Sequence, residues 1–452
     1  MTSRPVAPSE GDINRSPQRA AWQASALDAE TQALLEEDAR YFLHQSLSTP
    51  CLNGLRAAEG IYLEDLQGRR YMDFHGNSVH QVGFGNPAVI AAIKAQLDDL
   101  SFSPRRYTNR PAVALARKLA EIAPGDLNKV LLCPSGTAAI GIALKLARVV
   151  TGRHKTISMW DAFHGASLDA ISVGGEALFR RGVGPLLPGA EHVPPPDAYR
   201  CLWECHTRGG CDLRCARYID YVLEQEGDVA AVVAETMRST GVIPHPEFWR
   251  TVRAACDRHG ALLILDEIPT ALGRTGAMFA CDHYGIVPDL LVIGKGLGGG
   301  IVPLAALLAR GRFDVAGDQA LGHYTHEKSP LGAAAALATI AYIEQHGLVP
   351  HTRALGEHAL ARLRAMASRH PLIGDVRGLG LLLGVELVTD RLSRARATAE
   401  AEAVMYAALS RGLSFKVTMG NILTLTPPLV ITREEMDRAL DIIDESLTEV
   451  ES

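Results

Sequence analysis

Leu262-Leu-Ile-Leu-Asp266-Glu-Ile268 and Leu291-Val-Ile-Gly-Lys295-Gly-Leu-Gly-Gly-Gly300 decide the fold of this chain. Each is a short apolar run that ends in a charged residue. Short apolar runs bounded by turn residues read as strands buried on both faces. Further runs at 129–133, 155–159 and 229–235 alternate with helical stretches at 87–97, 112–122 and 140–148. Such strand–helix alternation predicts an α/β fold with a doubly wound, mostly parallel sheet. In these sheets, charged residues at the C-terminal ends of strands face the crevice where ligands bind. Asp266 and Lys295 are therefore the first candidate functional residues.

Working outward, residues 1–30 are polar and are expected to form a flexible N-terminal arm. A helix is expected over 36–48 and a hairpin over 60–74. Beyond Pro330, residues 331–345 and 353–368 read as helices. Residues 373–387 read as strand interrupted by Gly, and 433–450 as an amphipathic helix. The predicted organisation is an arm over 1–30, the first part of a small α+β domain over 31–85, a large ligand-binding domain over 86–330, and the rest of the small domain over 331–452.

Composition excludes several classes. The chain has 452 residues, so at about 150 residues per domain it is expected to hold two or three domains, or one large one with an appendage. Its net charge of −6 argues against nucleic acid as a partner. No apolar stretch approaches the ~20 residues of a membrane span, and the first residues carry no apolar secretory core. Eight Cys without such a leader suggest free thiols in a reducing, cytoplasmic compartment.

A Lys flanked by Gly after an apolar strand is partly shielded from water, which suits a Schiff-base nucleophile. A facing Asp could pair with a pyridinium nitrogen, as pyridoxal phosphate chemistry requires. Singly, Asp266 could equally cap a helix and Lys295 sit on a surface turn. Pro134-Ser135-Gly136-Thr137-Ala138 follows an apolar strand and opens a helix, so its backbone N–H groups could hold a phosphate.

Asp266-Glu-Ile-Pro-Thr-Ala-Leu-Gly-Arg-Thr-Gly276, His283-Tyr-Gly-Ile-Val-Pro-Asp289 and Gly294-Lys295-Gly-Leu-Gly-Gly-Gly300 together resemble the signature of class III aminotransferases. These are fold-type I pyridoxal phosphate enzymes, and the resemblance runs from about residue 36 to 448. It implies that pyridoxal 5'-phosphate is the cofactor, that Lys295 carries it as the internal aldimine, and that Asp266 holds its ring nitrogen protonated. It further implies that Ser135, Gly136 and Thr137 bind the phosphate, with Ala138 where the family has an acidic residue. Phe163-His164-Gly165 matches the family's aromatic-His-Gly, so Phe163 would stack on the cofactor ring beside His164. Glu235 matches the Glu of the family's Val-Glu-Pro. Thr325 stands where the family places a phosphate-binding Thr of the neighbouring subunit, which implies a homodimer with shared active sites, or a tetramer.

The departures speak to substrate. Many class III transaminases carry a second Glu, which pairs with a late Arg that clamps a carboxylate in a bidentate fork. Here Thr240 and Thr424 stand in those places, and a hydroxyl cannot replace a guanidinium. Cations are found instead at Arg105 and Arg106, beside Tyr107, and at Arg238, all candidates for binding a phosphate or phosphonate dianion. A narrower resemblance, carried by the stretches 73–85, 103–109 and 323–330, is to the (R)-1-hydroxy-2-aminoethylphosphonate ammonia-lyases of bacterial phosphonate breakdown. It implies a lyase that uses Lys295 to remove a proton from the amine-bearing carbon, loses the β-hydroxyl, and yields phosphonoacetaldehyde and ammonia. His75, His80 and Tyr107 are all candidates for protonating the leaving hydroxyl. The alternatives are an omega-aminotransferase with an oxo-acid acceptor, or a binding module that has lost catalysis.

Cys201, Cys205, Cys211 and Cys215 form a separate cluster. Four thiols could hold zinc, although the spacing is not that of paired knuckles; plain thiols or disulfides are the alternative. The catalytic site itself is expected to hold no metal.

Overall fold

The computed structural model describes residues 14–205 and 210–452. The chain divides into two compact units: residues up to Gly85 together with Arg353–Ser452, and Asn86–Thr352.

The larger unit is built on seven strands: β1 (Leu127–Cys133), β2 (Lys155–Met159), β3 (Ala190–Val193), β4 (Val229–Glu235), β5 (Leu262–Asp266), β6 (Leu290–Ile293) and β7 (Ala305–Arg310). Across the sheet they run β1-β7-β6-β5-β4-β2-β3. The pairs from β3 to β6 are all parallel. Only β7 is reversed, antiparallel to both β1 and β6. The expected mostly parallel sheet is therefore what forms. Strands β4, β5 and β6 are buried along their whole length, as strands covered on both faces must be. The helix Gly136–Thr151 lies on one face, with Ile140, Ile142 and Leu146 in one cluster with Val233, Ile264, Val292 and Leu307. Each such side chain contributes about 1.5–3 kcal/mol by leaving water.

Two strands escape the sequence reading. Ala190–Val193 is four residues with a polar pair at its centre. Ala305–Arg310 reads Ala-Ala-Leu-Leu-Ala-Arg, which has helical propensity and no β-branched residue. Pairing on both edges overrides that propensity.

The smaller unit is α+β. One sheet runs Leu55–Glu59, Tyr62–Asp65, Arg70–Asp73 and Leu413–Ser414, so both ends of the chain contribute to it. The other is built on Ile373–Leu379 and Leu382–Asp390, an antiparallel pair turned at Gly380, whose φ is +55°.

Two boundaries are corrected. Within the expected arm, residues 1–13 lie outside the described residues, but Pro17–Ala26 is a helix. Ser16 caps it, Trp22 is buried, and Arg19 donates to the carbonyl of Pro50 at 2.8 Å. One buried aromatic and a buried cation anchor a segment whose average composition is that of an arm. The helix Pro330–Gln345 belongs to the larger unit rather than to the smaller, because it packs on Pro87–Asp99 and Arg110–Ile122. The helix expected over 36–48 is instead Ala29–Tyr41. Among the described residues, no helix is long and apolar enough to cross a membrane.

Candidate active site

Asp266 is the last residue of β5, and register pairs it with Glu235 of β4 on one side and Val292 of β6 on the other. It is 2% exposed. Its Oδ1 accepts the N–H of Ile268 at 3.0 Å, and its Oδ2 accepts Nδ1–H of His164 at 2.8 Å. A buried carboxylate held by two donors has a fixed orientation. Lys295 follows β6 by two residues, in the left-handed region at φ +45°, and is half-buried. A non-Gly residue held there stores strain of the kind that active sites retain. The expected pair thus stands at the C-terminal ends of neighbouring central strands.

Ser135 caps the helix Gly136–Thr151, its Oγ accepting the N–H of Ala138. This leaves the first N–H groups of a sixteen-residue helix directed outward. The loop is closed by a near contact. Gly165, at φ +126°, would place a Cβ 1.8 Å from Thr137 Oγ1, and Thr137 Oγ1 also accepts the N–H of Ala166. Gly136 likewise has no room, since a Cβ there would lie 2.6 Å from Ile268 Cδ1. The loop that carries Phe163 and His164 and the N-terminal end of the helix that Ser135 caps therefore meet with no side chain between them. Gly165→Ala is expected to force this loop apart and to weaken the hold on a phosphate-bearing cofactor at least about tenfold. Cofactor retained after gel filtration, read by absorbance, measures it.

The remaining expected residues divide. Glu235 and Arg238 are both buried and pair with each other, Arg238 Nε lying 3.6 Å from Glu235 Oε2. The Arg238 guanidinium also donates to the carbonyl of Asp161. Arg105 is exposed and lies against His323, 2.5 Å and 2.7 Å from the two ring nitrogens. Arg106, Tyr107 and Thr325 are exposed. The segments that carry them touch: Asn109 donates to the carbonyl of Lys328 at 2.9 Å, and Phe102 meets His326 edge-on. Thr240 is fully buried, and its Oγ1 has no hydrogen-bond partner. In the smaller unit, Thr424 Oγ1 lies 2.7 Å from that of Thr418, and His80 Nε2 lies 3.7 Å from buried Asp73.

Glu267, next to Asp266, has a role the sequence reading missed. It is fully buried and accepts from Thr236 Oγ1 and from the N–H groups of Ala280 and Cys281, tying the loop after β5 in place. Burial pushes its carboxyl up to about 7, against the hydrogen bonds that lower it. The folded chain therefore resists ionising this group between its ordinary value and 7. Its contribution to stability is full at lower pH and is lost as pH rises through that window, by roughly 3 kcal/mol. In Glu267→Gln, the fall in thermal midpoint between pH 4.5 and 7 is expected to be shallower than in the parent.

Cys201 and Cys205 have sulfurs 3.3 Å apart and line one cavity with Cys211 and Cys215. All eight cysteines are free thiols. Among the described residues, no three His, Cys, Asp or Glu side chains are gathered to hold a metal ion.

A buried carboxylate and a lysine thus stand at the C-terminal ends of two central strands, near a capped helix N-terminus. The chain belongs to the class-III aminotransferase family, whose profile matches residues 45–447. Within that family it is 50% identical to the (R)-1-hydroxy-2-aminoethylphosphonate ammonia-lyase of Vibrio splendidus, over 98% of this chain and 95% of that protein. It is also 36% identical to a leucine/methionine racemase of Thermococcus litoralis, over 87% of this chain and 90% of the relative. Among solved structures, it resembles an amine transaminase from an uncultivated Pseudomonas species, in a pyridoxal-phosphate-bound form. The TM-score is 0.85 at 29% identity, covering 90% of this chain and 98% of that one.

Proposed function

We propose that the chain is a pyridoxal-phosphate-dependent ammonia-lyase that converts (R)-1-hydroxy-2-aminoethylphosphonate into phosphonoacetaldehyde and ammonia. The observation that carries this reading is the half identity, over nearly the full length of both chains, with the lyase of that name. Thr240 and Thr424, in place of a carboxylate-clamping pair, agree with a reaction that needs no oxo-acid acceptor.

The residues present fit the cofactor. The close approaches at Gly136 and Gly165 leave backbone N–H groups, with Ser135 and Thr137, to receive its phosphate. Phe163 would cover its ring. The carboxylate of Asp266, oriented by His164 and by the N–H of Ile268, would hold a proton on the ring nitrogen. Bound there, the cofactor supplies an electron sink for the carbon that bears the substrate's amine. Lys295 Nζ takes the proton from that carbon. The β-hydroxyl departs as water once protonated, and later hydrolysis returns one water. The net change is thus loss of ammonia and formation of an aldehyde. Glu235, paired with Arg238 and beside Asp266 at the end of the neighbouring strand, would help to hold the cofactor. Arg105, Arg106, Arg238 and Tyr107 are proposed to contact substrate, and Thr325 to complete the phosphate site of a neighbouring copy in a homodimer. The eight free thiols are in keeping with a cytoplasmic enzyme.

Purified holoenzyme given the racemic substrate, with no oxo acid present, is expected to release ammonia and aldehyde in equal amounts. Turnover that begins only when pyruvate or another oxo acid is added would overturn the lyase reading in favour of an omega-aminotransferase.

A further inference from the structure

Two of the arginines proposed for the substrate are already engaged: Arg105 with His323, and Arg238 with Glu235 and the carbonyl of Asp161. A different arginine lies at the edge of the cofactor loop. Residues 174–180 lie against residues 159–163. The N–H of Gly175 donates to the carbonyl of Ala162 at 2.8 Å, and a Cβ on Gly175 would come within 2.2 Å of the carbonyl of Met159. The contact continues through side chains, with the rings of Phe179 and Phe163 centred 4.5 Å apart.

Arg180 is the next residue. Its guanidinium carbon lies 5.2 Å from the centre of the Trp160 ring, and Trp160 stacks on His192 at 4.6 Å. The three groups form a layered stack that fixes the plane of the guanidinium. No carboxylate pairs with Arg180 among the described residues, and its Nε is buried with no hydrogen-bond partner. Burial pushes its pKa down, and no acidic group acts in the opposite direction. A partly buried guanidinium left unpaired is costly unless an anion completes it. The cation thus sits next to Phe179, whose ring touches the side chain proposed to cover the cofactor.

We propose that Arg180 determines specificity by binding the phosphonate dianion of the substrate, with the Trp160–His192 stack holding its two-pronged donor face toward the substrate. The inference rests on the proposed function, which sets Phe163 at the cofactor. A planar fork suits two oxygens of a tetrahedral dianion, and a compact ammonium does not reproduce it.

The test uses Arg180→Gln and Arg180→Lys as purified holoenzymes, with methylphosphonate as the probe. In Arg180→Gln, the KM for the aminophosphonate is expected to rise at least about 30-fold while kcat changes less than about threefold. Cofactor absorbance and thermal midpoint should match the parent. Arg180→Lys is expected to fall between the two. Calorimetric titration with methylphosphonate needs no turnover, so it judges Arg180 even if the parent proves not to be a lyase. Binding by the parent that is lost in Arg180→Gln supports the inference. Equal binding by both, or none by the parent, overturns it.

Discussion

Lys295→Ala is expected to lose at least about 10⁴-fold of the parent's ammonia release, because in the proposed mechanism one side chain supplies both the covalent anchor and the proton-transferring amine. The protein should still fold. Lys295 is half-buried at the start of a short turn, and among the described residues no hydrogen bond or ion pair of its amine helps to hold the sheet. Relief of the left-handed backbone position is not expected to compensate, since Ala at φ +45° is strained as Lys is. Ammonia release is the first measurement and borohydride trapping the second: the parent should retain the cofactor covalently after reduction and the variant should not. A variant that keeps most of its turnover ends the account of this site.

Asp266→Asn comes next in size, with kcat expected to fall about 10³-fold. An amide cannot hold a proton on a ring nitrogen as a carboxylate does. It also meets two fixed donors, Nδ1–H of His164 and the N–H of Ile268, with only one acceptor oxygen. One of those donors then faces an NH₂ group, which adds a cost of about 1–3 kcal/mol in a site this buried. Cofactor binding should weaken less than kcat, because the proposed phosphate loop at Ser135–Thr137 is untouched. Equal losses in binding and in kcat would mean that Asp266 anchors the cofactor rather than tuning it. Asp266→Glu separates charge from position: it keeps the carboxylate but moves it by one methylene.

Much of this site is legible before any coordinates, for a simple reason. Central strands of a covered sheet must be apolar, so a charged residue at the end of one stands out, as Asp266 and Lys295 do. The close-packed loop proposed for the phosphate is legible because small residues before a helix are what a close approach demands, and Gly136 and Gly165 both meet neighbours where a side chain would go. The reversed strand Ala305–Arg310 is not legible, because its residues favour helix and only its two neighbours make it a strand. Arg180 is hidden for another reason. Nothing in the order Leu178-Phe179-Arg180-Arg181 distinguishes the two arginines, and only the fold brings one of them over Trp160. Arg105 and Arg238 show the converse: cations that stand out in sequence are held by partners that sequence spacing does not reveal.

The register of β5 on β6 has a consequence for how the family can diverge. Because Asp266 is paired opposite Val292, the offset between carboxylate and amine is set by backbone hydrogen bonds up to Ile293 and by the two-residue step from there to Lys295. The sheet acts as a ruler, and a one-residue slip would turn the amine to the wrong face. The segments that bear Arg180 and Arg106 are not bound to that ruler. If they bind substrate as proposed, substitutions there would change which molecule is accepted while the spacing of carboxylate and amine stays constant. A racemase, a transaminase and a lyase can therefore share one chassis, separated by changes at its rim.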